Sequence, residues 1–170
     1  MRIAVYAGTF DPITRGHLSV IERGARLFDR VVVVIAVNPD KVPLFSLEER
    51  IQMIREVTSR WPNVQCDSTD GYVVELARRY RARYLVRGVR SCTDVEGEIA
   101  LAQVNHELAP DIETVFVPAH RELSEVSSSK LKELAIQGMD ISRYCPPEIE
   151  ARLRERLRAN SPARLEAAHV

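Results

Sequence analysis

Residues 3–17 read IAVYAGTFDPITRGH. Ile3 to Ala7 form an apolar run with the character of a buried strand, which gives way at Gly8 to a turn punctuated by Gly and Pro. Beyond His17, Leu18, Ile21, Ala25 and Phe28 recur at helical spacing. A strand running through such a turn into a helix start gathers unpaired backbone N–H groups at the positive end of a helix dipole. That is a natural seat for phosphate. Thr9 and His17 bracket the turn with side chains able to donate to phosphate oxygens.

Outward from this turn, strand-like and helix-like segments alternate. Val-, Ile- and Tyr-rich strands are predicted at 2–7, 30–37, 63–67, 83–87 and 113–118. Helices are predicted near 17–28, 47–59, 71–80 and 94–108. Ser46 followed by Glu49 reads as a capping box, Asp94 reads as a cap of the fourth helix, and Ile51, Ile54 and Val57 step along one face of the second. A polar loop (119–126), a helix from Ser127 to Gln137 stopped by Gly138, and a last helix from Glu148 to Arg158 opened by Pro146 and Pro147 complete the pattern. Such alternation predicts an α/β fold: an open parallel sheet with right-handed crossovers and helices on both faces. The segments Gly8–His17, Val37–Phe45 and Arg87–Thr93 each follow a strand, so they gather at the carboxyl edge of the sheet, where such folds bind ligands. One domain spanning 1–158 is expected, with a flexible tail at 159–170.

Composition narrows the function. Twenty-four basic residues balance twenty-four acidic ones, so no bulk field recruits nucleic acid or an anionic membrane. The longest apolar run, Val31 to Val37, is far short of the roughly 20 residues of a membrane span, and no signal-peptide pattern opens the chain. Cys66, Cys92 and Cys145 lack metal-ligand spacing and read as reduced structural thiols of a cytoplasmic protein. His106, His120 and His169 have no partner at ligand spacing, and no metal-ligating set is expected.

Among nucleotide signatures, neither GxGxxG nor GxxxxGK[ST] is present, and no GxSxG elbow suggests covalent catalysis. What remains is TRGH (Thr14 to His17) with Thr9 upstream, Arg87-Gly88-Val89-Arg90 after the fourth strand, and Ser127-Ser128-Ser129 opening a late helix. Three hydroxyls at a helix start offer side-chain and backbone donors together, a second phosphate cradle.

GTFDPITRGH at 8–17, NPDKVPLF at 38–45, VRGVR at 86–90, DVEGE at 94–98 and VSSSKLKE at 126–133, in this order, resemble the phosphopantetheine adenylyltransferases of the nucleotidyltransferase superfamily. The resemblance runs from about residue 2 to 158. It implies a Rossmann-like, doubly wound parallel sheet of five strands with a C-terminal helical extension. It also implies adenylyl transfer from ATP, with Mg²⁺, to 4′-phosphopantetheine, giving dephospho-coenzyme A and pyrophosphate. A cytoplasmic homohexamer with coenzyme A as a feedback ligand is implied too. Two rival readings stay open: the same chemistry, with ATP or CTP, on another acceptor such as nicotinamide or nicotinate mononucleotide, and a non-catalytic nucleotide-binding module.

Carried over onto this chain, the resemblance makes His17 the stabiliser of the transferring phosphate, with Thr9, Lys41 and Arg90 as further catalytic residues. ATP contacts fall to Thr9, Phe10, His17, Gly88, Val89, Arg90, Glu98 and the run Leu123, Ser124, Glu125, Val126, Ser127, Ser128 and Ser129. Acceptor contacts fall to Thr9, Lys41, Val73 and Arg87; Val73 suits the core equally well. The chain departs from the family at Leu123 and Glu125, and at Val95 and Gly97, where aromatic residues are usual.

Overall fold

A computed structural model describes residues 1–160, the side chain of Thr93 excepted, so His169 and all of the expected tail beyond Asn160 lie outside the described residues. Five strands, β1 (Ile3–Gly8), β2 (Arg30–Ala36), β3 (Val64–Thr69), β4 (Tyr84–Val89) and β5 (Glu113–Pro118), pair in parallel in the order β3-β2-β1-β4-β5. The chain steps outward from β1 to β3, then returns to lay β4 against the other side of β1. The direction of winding therefore reverses between β1 and β4, and the crevice at their carboxyl ends is the switch point of the sheet.

Alternation along the strands distributes the core. Ala4, Tyr6, Val31, Val33, Ile35 and Val86 face one layer, built with α1 (Arg15–Leu27), α2 (Leu47–Thr58), α5 (Ser128–Ile136) and α6 (Pro147–Ala159). Ile3, Val5, Ala7, Val32, Val34 and Leu85 face the other, where α3 (Val73–Arg79) contributes Val74, Leu76 and Ala77. Both faces of β2 are thus buried, which is why it reads as an unbroken apolar run rather than an alternating one. Ile149 and Leu153 are fully buried and pin α6 to the first layer, each contributing about 2–3 kcal/mol of apolar burial.

Local signals set the helix ends. The expected capping box of α2 is present: Ser46 Oγ accepts from Glu49 N–H, and the Glu49 carboxylate accepts from Ser46 N–H. α5 ends at Gly138, whose φ of +72° suits glycine. Its N–H reaches Ala135 C=O and the next N–H, of Met139, reaches Leu134 C=O, closing the last turn. One expectation is corrected. The fourth helix, α4 (Cys92–Leu108), is capped by Ser91, whose hydroxyl accepts from Asp94 N–H, not by Asp94. The Asp94 side chain instead turns back to Arg90, and the helix starts two residues earlier than expected. Within the polar loop after β5, Arg121–Leu123 make a short helical turn. No helix among the described residues is long and apolar enough to cross a membrane.

Candidate functional site at the switch point

A cleft of about 650 Å³ opens over the carboxyl ends of β1 and β4. Its floor is the β1–α1 turn. Thr14 caps α1 and His17 occupies the third helical position, where a capping box ordinarily holds Glu or Gln. Here the imidazole does that work: Nδ1 accepts from Thr14 N–H at 3.1 Å and lies 3.1 Å from Thr14 Oγ1, while Thr14 Oγ1 accepts from His17 N–H at 3.3 Å. An accepting Nδ1 fixes the neutral tautomer with its proton on Nε2. Burial, reinforced by the charge of Arg90, pushes the His17 pKa down from 6.5 to about 4, so the ring is neutral at physiological pH. The fold thereby presents a fixed N–H donor that carries no charge.

Phe10 holds that ring from below. Buried, with φ of +47°, it packs edge-on against His17 (centroids 4.9 Å, 73°) and against Tyr6 (5.4 Å, 78°). A left-handed backbone is unusual for phenylalanine, and it is held here by a ring packed between Tyr6 and His17. Gly8 is required for the same reason, since a Cβ there would lie 3.0 Å from the Phe10 ring.

β4 brings the two arginines beside this floor. Arg87 donates through Nε and Nη2 to both oxygens of Glu98 on α4 (2.5 and 2.8 Å) and through Nη1 to Ala7 C=O (3.0 Å). Arg90 pairs in the same bidentate manner with Asp94, one helical turn before Glu98 (2.8 and 3.1 Å). Gly88 between them lets α1 approach, because a Cβ would fall 2.9 Å from Val20 Cγ2.

Asp11 fastens the remaining walls. Its buried carboxylate accepts from Leu44 and Phe45 N–H, anchoring the loop that carries Lys41, and from Lys132 Nζ of α5 (2.9, 3.0 and 2.9 Å). Ser128 Oγ donates to Pro12 C=O at 2.8 Å, so the serine-led start of α5 sits on the same turn. Arg50, also buried, donates to Thr9 C=O at 3.0 Å.

Of the residues singled out in the sequence, Thr9, Phe10, His17, Lys41, Arg87, Gly88, Arg90, Glu98, Leu123, Val126, Ser127, Ser128 and Ser129 all line this one cleft. Val73, Val89, Ser124 and Glu125 are not among its lining. Val73 opens α3 and packs against the second core layer; Val89 is buried at the end of β4. Ser124 Oγ donates to Arg121 C=O, and Glu125 is exposed. Sequence reading missed Tyr6, Asp11, Arg50 and Lys132, which also line the cleft. Asp11 stood inside the GTFDP turn and Lys132 inside VSSSKLKE, so each had a positional signal. Arg50, on a helix far along the chain, had none.

Fold and cleft define a class: a nucleotidyltransferase-type α/β protein, whose switch point gathers uncharged and cationic donors in one cleft. A family model described as cytidylyltransferase-like matches residues 5–134. The phosphopantetheine adenylyltransferase of Carboxydothermus hydrogenoformans is 47% identical over 92% of this chain and 96% of its own length. That of Heliobacterium modesticaldum is 43% identical over 96% and 100%. Solved structures share the fold at lower identity. A Vibrio parahaemolyticus protein described as a nicotinate-nucleotide adenylyltransferase superposes with a TM-score of 0.67 at 20% identity, over 90% of this chain and 99% of that one. The Plasmodium falciparum nicotinic acid mononucleotide adenylyltransferase complexed with NaAD does so with 0.61 at 17%, over 92% and 94%. The chain belongs to the phosphopantetheine adenylyltransferase family, within the cytidylyltransferase-like proteins.

Proposed function

We propose that the protein transfers the adenylyl group of ATP to 4′-phosphopantetheine, releasing pyrophosphate and forming dephospho-coenzyme A. The observation that carries this reading is the His17 ring, held by Thr14 as a neutral Nε2–H donor at a helix start inside the cleft. The acceptor phosphate is itself an adequate nucleophile. Its oxygen attacks the α-phosphorus as the bond to the bridging oxygen of the leaving pyrophosphate breaks. Aligning the partners and stabilising the spreading charge is the whole task of the protein. His17 Nε2–H serves the transferring phosphate, and the N–H of a neutral imidazole is too weakly acidic to lose its proton to it. Arg90 and the Ser127–Ser129 start of α5 suit the nucleotide phosphates; Thr9, Lys41 and Arg87 suit the acceptor.

Mg²⁺ belongs to the ATP in this reading. Among the described residues no three His, Cys, Asp or Glu side chains cluster for a metal, and the cleft carboxylates of Asp11 and Glu98 are engaged by N–H donors. Magnesium bound through phosphate oxygens and water fits that donor set. The reading further includes a cytoplasmic location, a homohexamer and feedback by coenzyme A. For assembly, Leu101, Val104 and Leu108 stand exposed along one side of α4, an apolar strip suited to another copy.

Pyrophosphate release with ATP and Mg²⁺ tests the activity. Turnover is expected with 4′-phosphopantetheine and not with nicotinate or nicotinamide mononucleotide; turnover with a mononucleotide alone would replace the reading. Light scattering tests the hexamer.

A further inference from the structure

Tyr6 stands at the centre of β1, only 6% exposed, in the wall of the cleft. Its ring is packed edge-on by Phe10, and its hydroxyl oxygen lies 3.7 Å from where a Cβ on Gly88 would stand. The hydroxyl makes no hydrogen bond to any described residue, yet no fully buried side-chain oxygen or nitrogen among those residues lacks a partner. The phenolic oxygen therefore keeps some exposed surface, and Tyr6 belongs to the wall of the cleft. A phenol so nearly buried ordinarily finds a partner for its O–H, and this one is turned to where a ligand would lie. Arg87, Glu98 and Arg90 are the charged groups that act on it.

We infer that the Tyr6 O–H is a substrate-binding donor, serving a substrate phosphate in the cleft that Arg87 and Arg90 also line. The inference rests on the proposed reading that phosphorylated substrates occupy the cleft. Burial raises the phenol pKa well above its ordinary value, so the group stays protonated and acts as donor. The phosphate could come from the acceptor or from ATP, and the two sources are separable.

The test compares wild type with Tyr6→Phe, which keeps the packed ring and removes an oxygen bonded to no described protein atom. Thermal stability is expected to stay at the wild-type value, because no protein hydrogen bond is lost. Losing a donor to a charged phosphate is expected to weaken binding roughly tenfold to a hundredfold. A rise in KM and in titrated Kd for 4′-phosphopantetheine, with those for ATP unchanged, assigns the subsite to the acceptor. The reverse assigns it to the nucleotide. Unphosphorylated pantetheine, titrated in parallel, is expected to bind both proteins equally. Equal affinities of the two proteins for phosphopantetheine and for ATP, by titration calorimetry, overturn the subsite. Wild-type protein that binds ATP yet turns over no phosphopantetheine overturns the proposed reaction instead, and the ATP titration then still decides the role of Tyr6.

Discussion

Replacing His17 separates two jobs held by one ring. In His17→Ala the Thr14 N–H, at a residue with no exposed surface, loses its Nδ1 acceptor, a cost of about 1–2 kcal/mol. For a chain of this size that lowers Tm by roughly 2–8 °C. Loss of the Nε2–H donor is expected to lower kcat by about 10²–10³, the usual effect of removing one donor to a developing oxyanion. His17→Gln divides the effects, because Gln is an ordinary residue at this capping-box position and its amide oxygen can accept from Thr14 N–H. Calorimetry should find its Tm near wild type, while the pyrophosphate-release assay should find kcat still at least about tenfold low. Wild-type kcat in His17→Ala would refute the donor role. A Gln variant restored in both respects would show that the imidazole geometry is not what matters.

The same ring predicts an acid limit. Its folded pKa, about 4, lies below the ordinary 6.5, so below 6.5 the unfolded chain binds a proton that the folded chain refuses. The stability that depends on a neutral His17 is therefore complete above pH 6.5 and is lost progressively as pH falls toward 4, on the order of 3 kcal/mol in all. Urea midpoints at pH 7 and pH 4.5 should differ more for wild type than for His17→Gln.

Two glycines should respond oppositely to alanine. Gly88→Ala places a Cβ 2.9 Å from Val20 Cγ2 and should cost about 1–3 kcal/mol in urea denaturation. Gly97→Ala meets nothing within 4 Å inside α4 and should gain about 0.5–1 kcal/mol by the same measurement. Asp11→Ala strands the Leu44 and Phe45 N–H groups and Lys132; a loss of about 3 kcal/mol is expected in denaturation, and KM for the acceptor should rise as the Lys41 loop loosens. A thiol reagent at pH 8 should label exposed Cys92 first, because burial pushes the Cys66 and Cys145 thiols up to about 11; equal labelling rates would contradict the packing around them.

The parts of the fold that were legible in the sequence are those written in local chemistry. The strand-turn-helix at 3–17, the Ser46–Glu49 box and the Gly138 stop each depend on neighbours within a few residues, and each stands where expected. The cap of α4 was missed because Ser91 and Asp94 are both able N-caps. The choice between them was made by Arg90, which claims the Asp94 carboxylate. The site was legible as a set of motifs and not as a set of contacts. Glu98 was expected at a nucleotide, and it grips Arg87 from across the β4–α4 connection. Asp11 finds its partners 33, 34 and 121 residues away, distances over which sequence pattern carries no pairing information. Val73 illustrates the converse: apolar at a helix start, it serves the core layer it can reach.

The two arginine–carboxylate pairs also bear on how the cleft empties. An anion that takes the Nε–Nη2 edge of Arg87 or Arg90 must first dislodge Glu98 or Asp94 from it. The displaced carboxylate does not diffuse away. It remains tethered to α4 at high effective concentration, ready to return. On that edge each arginine trades partners rather than gaining one, and a departing anion leaves against a competitor already in place. Such a built-in rival weakens retention of an anion held on that edge and shortens its residence.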